Sequence, residues 1–332
     1  MLESTCGEVR TSVLGFGCGS VLGRVGRGAS LRAMNAAWDA GITLFDTARS
    51  YGFGEAEAVL GEFLRAKREQ AIVATKFGIA PQSLSALKRA AIPMVRATLQ
   101  APGVRNLLHR RGSHPAVFGQ FSPAGLRASL DESLCQLGTD RVDVLFLHEA
   151  TASSMLQQDL MAELNMLVEA GKVLRVGLYA GVDVIAEGLV KGPEPLSAMQ
   201  FGVNPFDPVV AGFRDLNRRG MLMIANHPFG GEQRVERIRA ALGAMSVDET
   251  VPAELRDRLR DLDWQVVLEA ILGMALNGTG VHALVFSMMQ EGHLRANCRA
   301  LESGRFTGAD LALMREHMLS APPIAQPAPS VP

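Results

Sequence analysis

The feature of this chain that most constrains its fold is a repeated alternation between short apolar segments and amphipathic segments with helical periodicity. The apolar segments are rich in β-branched and aromatic residues, as buried strands are. The expected strands are residues 14–17, 42–45, 71–75, 142–147, 173–178, 198–203, 221–225 and 283–286. Such alternation is typical of parallel βαβ units, and eight of them favour a closed (β/α)₈ barrel over an open sheet.

The helices between these strands have recognisable ends. Ser30 can cap a helix that Gly41 terminates. Ser122 followed by Pro123 is a typical helix start, and Gly138 ends that helix. The other expected helices are residues 55–65, 155–170, 208–217, 264–276 and 291–301.

Three segments interrupt the alternation. Residues 77–121 are rich in Arg and His and are long enough to form a lid or to carry their own helix. Residues 226–250 are expected to form a second long loop. Residues 321–332 are rich in proline and lack periodicity, so we expect a disordered tail. Residues 1–320 are therefore expected to form one barrel domain with two long loops.

Composition and charge argue against several classes of protein. The chain has 332 residues, of which 48% are hydrophobic and 20% charged, which suits a globular protein with a large core. Its net charge of −1 gives no basic field for nucleic acid. The 4 cysteines form no CxxC pair and have no nearby His at ligand spacing, so no metal site is expected. Without a signal-peptide pattern or a membrane-spanning apolar run, we expect a cytoplasmic protein without a membrane partner.

Four polar residues lie at or just beyond the carboxyl ends of expected strands, where barrels place their reactive groups. Asp46, Lys76 and His148 each directly follow a strand, and Tyr51 lies in the loop after Asp46. Each residue alone has an ordinary interpretation, as a helix cap, a solvated strand end, a rim histidine or loop packing. Together they predict one hydrogen-bonded cluster at the mouth of the barrel.

Such a cluster can deliver a proton to a carbonyl oxygen. Because a free tyrosine has a pKa of about 10, we expect the Lys76 ammonium to lower the pKa of Tyr51. Asp46 would hold the lysine in place, and His148 would donate a hydrogen bond to the carbonyl oxygen. No side chain can supply a hydride, so the chemistry implies a nicotinamide cofactor and a small-molecule carbonyl substrate.

Three stretches resemble signatures of the aldo-keto reductase family. GITLFDTARSYG begins at residue 41, ATKFG at residue 74, and LGTDRVD at residue 137 leads to His148. These stretches place Asp46, Tyr51, Lys76 and His148 at the family's four catalytic positions. The resemblance spans roughly residues 10–300 and implies a TIM barrel. It also implies an NAD(P)(H)-dependent oxidoreductase that reduces an aldehyde or ketone to an alcohol, or the reverse, with Tyr51 as general acid.

The same resemblance implies a set of cofactor contacts. Gln200 stands where the family places a glutamine on the nicotinamide amide. The chain departs from the family at Tyr179, where Ser-Asn is usual, and at residues 226–230, where NHPFG leaves His227 as the candidate to stack on the ring. The full expected set is Gly17, Cys18, Gly19, Asp46, Tyr179, Gln200, Asn226, His227, Phe229, Gly230, Ser287, His293 and Asn297.

At the adenosine end, the arginine with which the family binds the 2′-phosphate is replaced. Asn297 matches the asparagine that contacts adenine, and His293 stands at the arginine position. Arg295 and Arg299 are candidates to bind the 2′-phosphate instead. NADP(H) is expected in preference to NAD(H), although the loss of the arginine weakens that preference.

These departures keep a second interpretation open, in which the chain is a non-catalytic or cofactor-sensing barrel of the same family. The four intact catalytic positions favour an enzyme, because a binding module has no chemical need for all of them. Which carbonyl compound is the substrate depends on loops 77–121 and 226–250 and is not specified by the sequence. A monomer or weak homo-oligomer is expected from the resemblance.

Overall fold

The computed structural model describes residues 2–23, 25–81, 118–119, 121–151, 154, 157–185, 196–206 and 220–320. Within these residues, eight parallel strands close into a barrel in the order of the chain, and the last strand pairs with the first. The barrel strands are β3 (Leu14–Gly17), β4 (Leu44–Asp46), β5 (Ile72–Phe77), β6 (Val142–His148), β7 (Val173–Tyr179), β8 (Leu196–Gly202), β9 (Leu222–Asn226) and β10 (Ala283–Phe286). The predicted (β/α)₈ barrel is confirmed.

Helices follow most of the strands and cover the outside of the barrel. They are α1 (Arg27–Asp39), α2 (Ala56–Leu64), α3 (Pro123–Leu137), α4 (Gln158–Glu169), α5 (Glu232–Val247), α6 (Ala253–Arg258), α7 (Trp264–Leu276), α8 (Glu291–Glu302) and α9 (Gly308–Ser320). The predicted caps of α3 are present: Ser122 Oγ accepts a hydrogen bond from the Gly125 amide at 3.1 Å, and Gly138 adopts φ +63°.

One predicted loop is wrong. Residues 226–250 were expected to form a long loop, but α5 occupies 16 of them. Three of its apolar residues lie at helical spacing and are buried in a second core outside the barrel, against α6, α7 and α9. They are Ile238, Leu242 and Met245. Three arginines within the helix made the segment polar enough to hide this periodicity.

Several elements were not predicted, and some predictions lie outside the described residues. The missed elements are the hairpin of β1 (Glu3–Cys6) and β2 (Val9–Ser12) and the helices α6 and α9. The helix expected at 208–217, the tail at 321–332 and most of the segment 77–121 lie outside the part of the chain that the structure describes.

The hairpin is bound to the amino ends of the barrel strands. Arg175, near the start of β7, donates hydrogen bonds to the carbonyl oxygens of Cys6 and Gly220, both at 3.1 Å. Cys6 is itself buried with the side chains that fill the barrel. The hairpin therefore packs at the end of the barrel opposite the carboxyl ends of the strands.

The side chains inside the barrel explain which later residues face the mouth. Neighbouring residues of a strand point to opposite faces, so a residue two positions beyond a buried interior residue also points inward. The interior cluster includes Leu44, Ala74, Phe146, Ala198 and Ile224. Two positions further along each strand, at its carboxyl end, lie Asp46, Lys76, His148, Gln200 and Asn226. The barrel therefore places these five polar side chains in one layer on top of its apolar interior.

Candidate active site

A buried ion pair lies at the base of the mouth. Lys76 Nζ donates hydrogen bonds to both carboxylate oxygens of Asp46 at 2.7 Å each and to the carbonyl oxygen of Thr47 at 2.9 Å. Gln200 Nε2 also donates to Asp46 Oδ1, at 3.1 Å. The exposed fractions of Lys76 and Asp46 are 1% and 4%. The expected contact between these two residues is therefore present, and it is closed to water.

Tyr51 lies directly above this ion pair. Its ring centroid is 5.1 Å from Lys76 Nζ and 6.2 Å from the imidazole of His148, with the two rings perpendicular. The short turn Tyr51–Gly54 carries it, and two residues of that turn, Gly52 and Phe53, adopt left-handed conformations. The structure thus brings together the four residues that the sequence predicted to cluster.

The expected effect of Lys76 on Tyr51 is wrong. Burial raises the pKa of Tyr51 above its ordinary value, and the negative charge of Asp46 raises it further. The Lys76 ammonium, which is bound to both oxygens of Asp46, does not offset this rise. Tyr51 is therefore a protonated phenol near neutral pH, and a phenol can donate a proton.

His148 is a neutral imidazole at physiological pH. Burial, with a smaller contribution from the charge of Lys76, lowers the pKa of His148 to about 3. Its Nδ1 is buried and has no hydrogen-bond partner among the residues that the structure describes. A neutral imidazole carries one N–H, so His148 can donate one hydrogen bond to a group in the mouth.

The chain has 2 tyrosines, and both lie in this site. The ring of Tyr179 is 5.1 Å from the ring of His148 and 5.7 Å from Lys76 Nζ. Asn226 forms a hydrogen bond with the side chain of Tyr179. Burial raises the pKa of Tyr179, and this hydrogen bond opposes the rise. The sequence indicated that Tyr179 departs from the family, but it did not indicate that the ring packs against His148 and reaches Asn226.

Two buried oxygens of the site lack donors. Gln200 Oε1 and Asn226 Oδ1 have no hydrogen-bond partner within the described part of the chain. An unpaired buried acceptor is costly, so such atoms are usually satisfied by water or a ligand. The amide group of a nicotinamide has two N–H donors, and these residues fit such a group.

The expected cofactor contacts near β3 also lie at the mouth. Gly17 ends β3 against the backbone of Phe286, where an added Cβ would lie 3.2 Å from the Phe286 carbonyl carbon. Cys18 is fully buried. Gly19 lies beside Tyr51, since a Cβ there would be 3.9 Å from the phenol ring.

The loop after β9 leads into the amino end of α5. His227 is exposed in a left-handed conformation, and Phe229 packs edge-on against Phe286 with 5.5 Å between ring centroids. Gly230 has φ +62°, and α5 begins two residues later. The free amides at the start of a helix of 16 residues can bind an anionic group such as a diphosphate.

The residues expected at the adenosine end lie on or near α8. Ser287 and His293 are exposed, and Asn297 is buried. Because His293 and Asn297 are four residues apart, they share one face of the helix. Arg295 is two residues from each, lies on a different face and forms an ion pair with Glu291 at 2.6 Å.

Strained backbone is concentrated at the mouth. Among the described residues, four that are not glycine have positive φ, and each lies in a loop that follows a barrel strand. They are Leu22 after β3, Phe53 after β4, Glu149 after β6 and His227 after β9. Left-handed conformations of such residues are costly and often mark functional sites.

A cavity of about 330 Å³ opens beside Glu149, the residue that follows His148. Aromatic, hydroxyl, amide and carboxylate side chains line it. They are Phe118, Phe121, Glu149, Thr151, Ser154 and Gln157. The sequence did not indicate this cavity, because its walls come from separate segments.

None of the described helices combines the length and the apolar character needed to cross a membrane. Among the same residues, no group of three or more potential metal ligands is clustered.

Comparison with known proteins agrees with the fold. The sequence profile described as the Aldo/keto reductase family matches residues 13–318. An aldo-keto reductase from Bacillus halodurans, in its holo form, superposes with a TM-score of 0.67 over 96% of this chain and 95% of that one, at 20% sequence identity. A thermostable aldo-keto reductase bound to the inhibitor epalrestat gives a TM-score of 0.66 over 96% of this chain and 100% of its own, at 18% identity.

Curated relatives match over shorter regions. Pyridoxal 4-dehydrogenase of Microbacterium luteolum is 34% identical over 42% of this chain and 40% of its own length. D-threo-aldose 1-dehydrogenase of a Pseudomonas species is 36% identical over 41% of this chain and 39% of its own. A putative aryl-alcohol dehydrogenase of Saccharomyces cerevisiae is 26% identical over 68% of this chain and 55% of its own. The matches thus span about two fifths to about half of these relatives.

Proposed function

Since this chain belongs to the aldo/keto reductase family, we propose that it is an NAD(P)(H)-dependent oxidoreductase that interconverts an aldehyde or ketone and the corresponding alcohol. The observation that supports this most directly is the position of Tyr51. It is a protonated phenol 5.1 Å above the Lys76 ammonium and next to a neutral His148. A proton donor beside a hydrogen-bond donor suits the reduction of a carbonyl.

Residues of this chain fit the proposed cofactor at both ends. Gln200 Oε1 and Asn226 Oδ1 can accept hydrogen bonds from the amide of the nicotinamide, and the amino end of α5 can bind the diphosphate. When bound, the reduced nicotinamide supplies the hydride that the carbonyl carbon needs.

The protein's own groups handle the negative charge that develops on the carbonyl oxygen. Tyr51 Oη donates its proton to that oxygen, and His148 holds the oxygen by a hydrogen bond. Tyr51 is left as a phenolate above the Lys76 ammonium, which stabilises it by charge attraction. Asp46 keeps the ammonium in place through two hydrogen bonds. In the direction of alcohol oxidation the same groups act in reverse, with Tyr51 as the base.

We propose NADP(H) as the first choice of cofactor on the basis of the family resemblance, with weak discrimination against NAD(H). Discrimination is expected to be weak because His293 replaces the arginine and Arg295 is bound to Glu291. The names of the relatives suggest aromatic aldehydes and aldoses as the first substrates to test, in both directions.

The test combines cofactor binding with turnover. We expect NADPH or NADH to bind the purified protein with micromolar affinity, measured by cofactor fluorescence, and to support reduction of a carbonyl. Tyr51→Phe should lower turnover by a factor of about 100 or more and leave cofactor affinity within about twofold, because the lost hydroxyl contacts the reacting oxygen. Retention of turnover by this variant would rule out the role of Tyr51.

A second candidate function is a cofactor-sensing barrel without turnover. The Tyr179 ring, packed against His148 where the family has a small polar pair, is the observation that favours it. Tight cofactor binding without turnover of any carbonyl or alcohol in a broad panel would support this candidate over the enzyme.

A further inference from the structure

We propose that the cavity lined by Glu149 binds the part of the substrate remote from the carbonyl, and that Glu149 selects there for positively charged substrates over negatively charged ones. This inference rests on the proposed carbonyl reduction. It adds the chemical class of the substrate and names the residue that determines specificity.

The backbone fixes Glu149 next to the reacting groups. Glu149 directly follows His148, adopts φ +55°, and donates its amide hydrogen to the carbonyl oxygen of Tyr179 at 2.8 Å. Its side chain lines the cavity. A residue that is not glycine has little reason to accept this conformation unless its side chain is needed there.

The other charges of the mouth are balanced among the residues that the structure describes. Lys76 and Asp46 neutralise one another at 2.7 Å, and His148 is uncharged near neutral pH. The carboxylate of Glu149 makes no hydrogen bond or ion pair with any residue that the structure describes. Burial raises the pKa of the Glu149 carboxyl, and His227, on the loop after β9, opposes that rise. Among the residues that the structure describes, the mouth therefore carries one negative charge, on Glu149, without an ion-pair partner.

The negative charge of Glu149 acts on the reacting groups. The carboxylate of Glu149 contributes to the raised pKa of both Tyr51 and Tyr179. A substrate whose carbonyl lies between Tyr51 and His148 would therefore place its remaining atoms within electrostatic range of Glu149.

The other walls of the cavity suit an organic cation. Phe118 and Phe121 provide aromatic surface, and an ammonium group binds favourably to such rings beside a carboxylate. Phe121 packs edge-on against Phe77 with 5.9 Å between centroids, so the cavity is bounded by the end of the strand that carries Lys76. It thus lies between the ends of β5 and β6.

The hydroxyl groups that line the cavity are uncharged, and they do not determine the charge of the substrate that binds there. The Thr151 amide donates to Ser154 Oγ at 3.0 Å, and Ser154 Oγ donates to the Thr151 carbonyl oxygen at 2.8 Å. These bonds close a local turn and occupy the Ser154 hydroxyl. Glu149 remains as the charged group of the lining, and a volume of about 330 Å³ is large enough for a substituted aromatic ring.

The experiment compares kcat/KM for three benzaldehydes that carry a trimethylammonium, a nitro or a carboxylate group in the para position. We expect wild-type protein to favour the cation over the anion by about tenfold or more at low salt, and the ratio to fall as ionic strength rises. Glu149→Gln should reduce the ratio to about its value at high salt. The matched control is Glu254→Gln, an exposed carboxylate on α6, which should leave the ratio unchanged.

The outcomes separate this inference from the proposed function. If wild-type protein reduces benzaldehydes and the ratio is the same in wild type and in Glu149→Gln, charge selection by Glu149 is wrong while the reductase stands. If no carbonyl is reduced, the proposed function fails. Calorimetric titration with benzyltrimethylammonium and benzoate then decides the charge preference of the cavity. Stronger binding of the cation, lost in Glu149→Gln, supports the inference, and equal binding overturns it.

Discussion

Both carboxylate oxygens of Asp46 lie 2.7 Å from Lys76 Nζ, in a position closed to solvent. This geometry holds the ammonium in place, 5.1 Å from the ring of Tyr51. Lys76 therefore favours the phenolate that forms when Tyr51 gives up its proton, while burial keeps the pKa of the resting phenol above its ordinary value. The pair also has a consequence for stability, because neither charge has access to water.

Removing one partner of this pair should destabilise the protein strongly. Lys76→Met leaves the Asp46 carboxylate buried without its counterion, and we expect the free energy of unfolding to fall by about 3–5 kcal/mol. Urea denaturation measures this value. The control is Arg10→Ala, which breaks an exposed ion pair with Glu3 and should cost less than about 1 kcal/mol. A loss below 1 kcal/mol for Lys76→Met would show that the pair is solvated.

The two tyrosines should resist ionisation in the folded protein. Burial raises the pKa of both Tyr51 and Tyr179, so the native protein should show little phenolate absorbance at pH 10.5, whereas the unfolded chain titrates near a pKa of about 10. Since the folded pKa is raised, the contribution to stability is fully present below about pH 10 and is lost as the pH rises above it. Tyr179→Phe isolates the signal of Tyr51. A native titration with its midpoint near pH 10 would contradict the burial of this phenol.

Cofactor discrimination should respond to one position on α8. His293→Arg adds a guanidinium on the face that also carries Asn297, so we expect affinity for NADPH to rise about tenfold relative to NADH. Fluorescence titration with both cofactors measures the ratio. Arg10→Gln serves as the control, because that exposed arginine lies in the hairpin at the opposite end of the barrel, and the ratio should not change. An unchanged ratio in His293→Arg would show that the 2′-phosphate binds elsewhere.

A glycine at a helix contact should be required for packing. A Cβ at Gly61 in α2 would overlap the backbone of Gln136 and Leu137 in α3, with 2.8 Å to Leu137 Cα. Gly61→Ala should therefore destabilise the protein by about 1–3 kcal/mol, despite the better helix propensity of alanine. In Gly243→Ala on α5 the new methyl group would be 3.6 Å from the Leu262 side chain, an ordinary contact, and thermal unfolding should show no loss. Equal melting temperatures for the two variants would contradict the predicted clash.

The sequence predicted most of the barrel because each strand is a short apolar run with a clear end. The same rule placed Asp46, Lys76 and His148 together, since residues at the carboxyl ends of barrel strands converge at one mouth. The prediction from sequence failed where an element is stabilised by contacts with residues distant in the chain. The sequence of α5 predicts a loop, because the residues that cover the apolar face of this helix lie in α6, α7 and α9.

The electrostatics of the site were not predictable from spacing. The pKa of Tyr51 depends on how completely the phenol is buried and on how Asp46 binds Lys76, and both follow from the assembled structure. The contact between Tyr179 and Asn226 joins β7 and β9, which are not neighbours in the barrel. A pattern read along the chain carries no information about such a contact.

The five polar side chains of the mouth rest directly on the apolar layer inside the barrel. A substitution in that layer therefore affects both the site and the folding of the barrel. Ala74 and Ala198 are small members of that layer, two residues before Lys76 and Gln200. A larger side chain at either position would displace the polar group above it as well as crowd the interior. Variation in substrate choice is therefore expected to accumulate in the loops around the mouth, while the inner strands of this lineage change slowly and in concert.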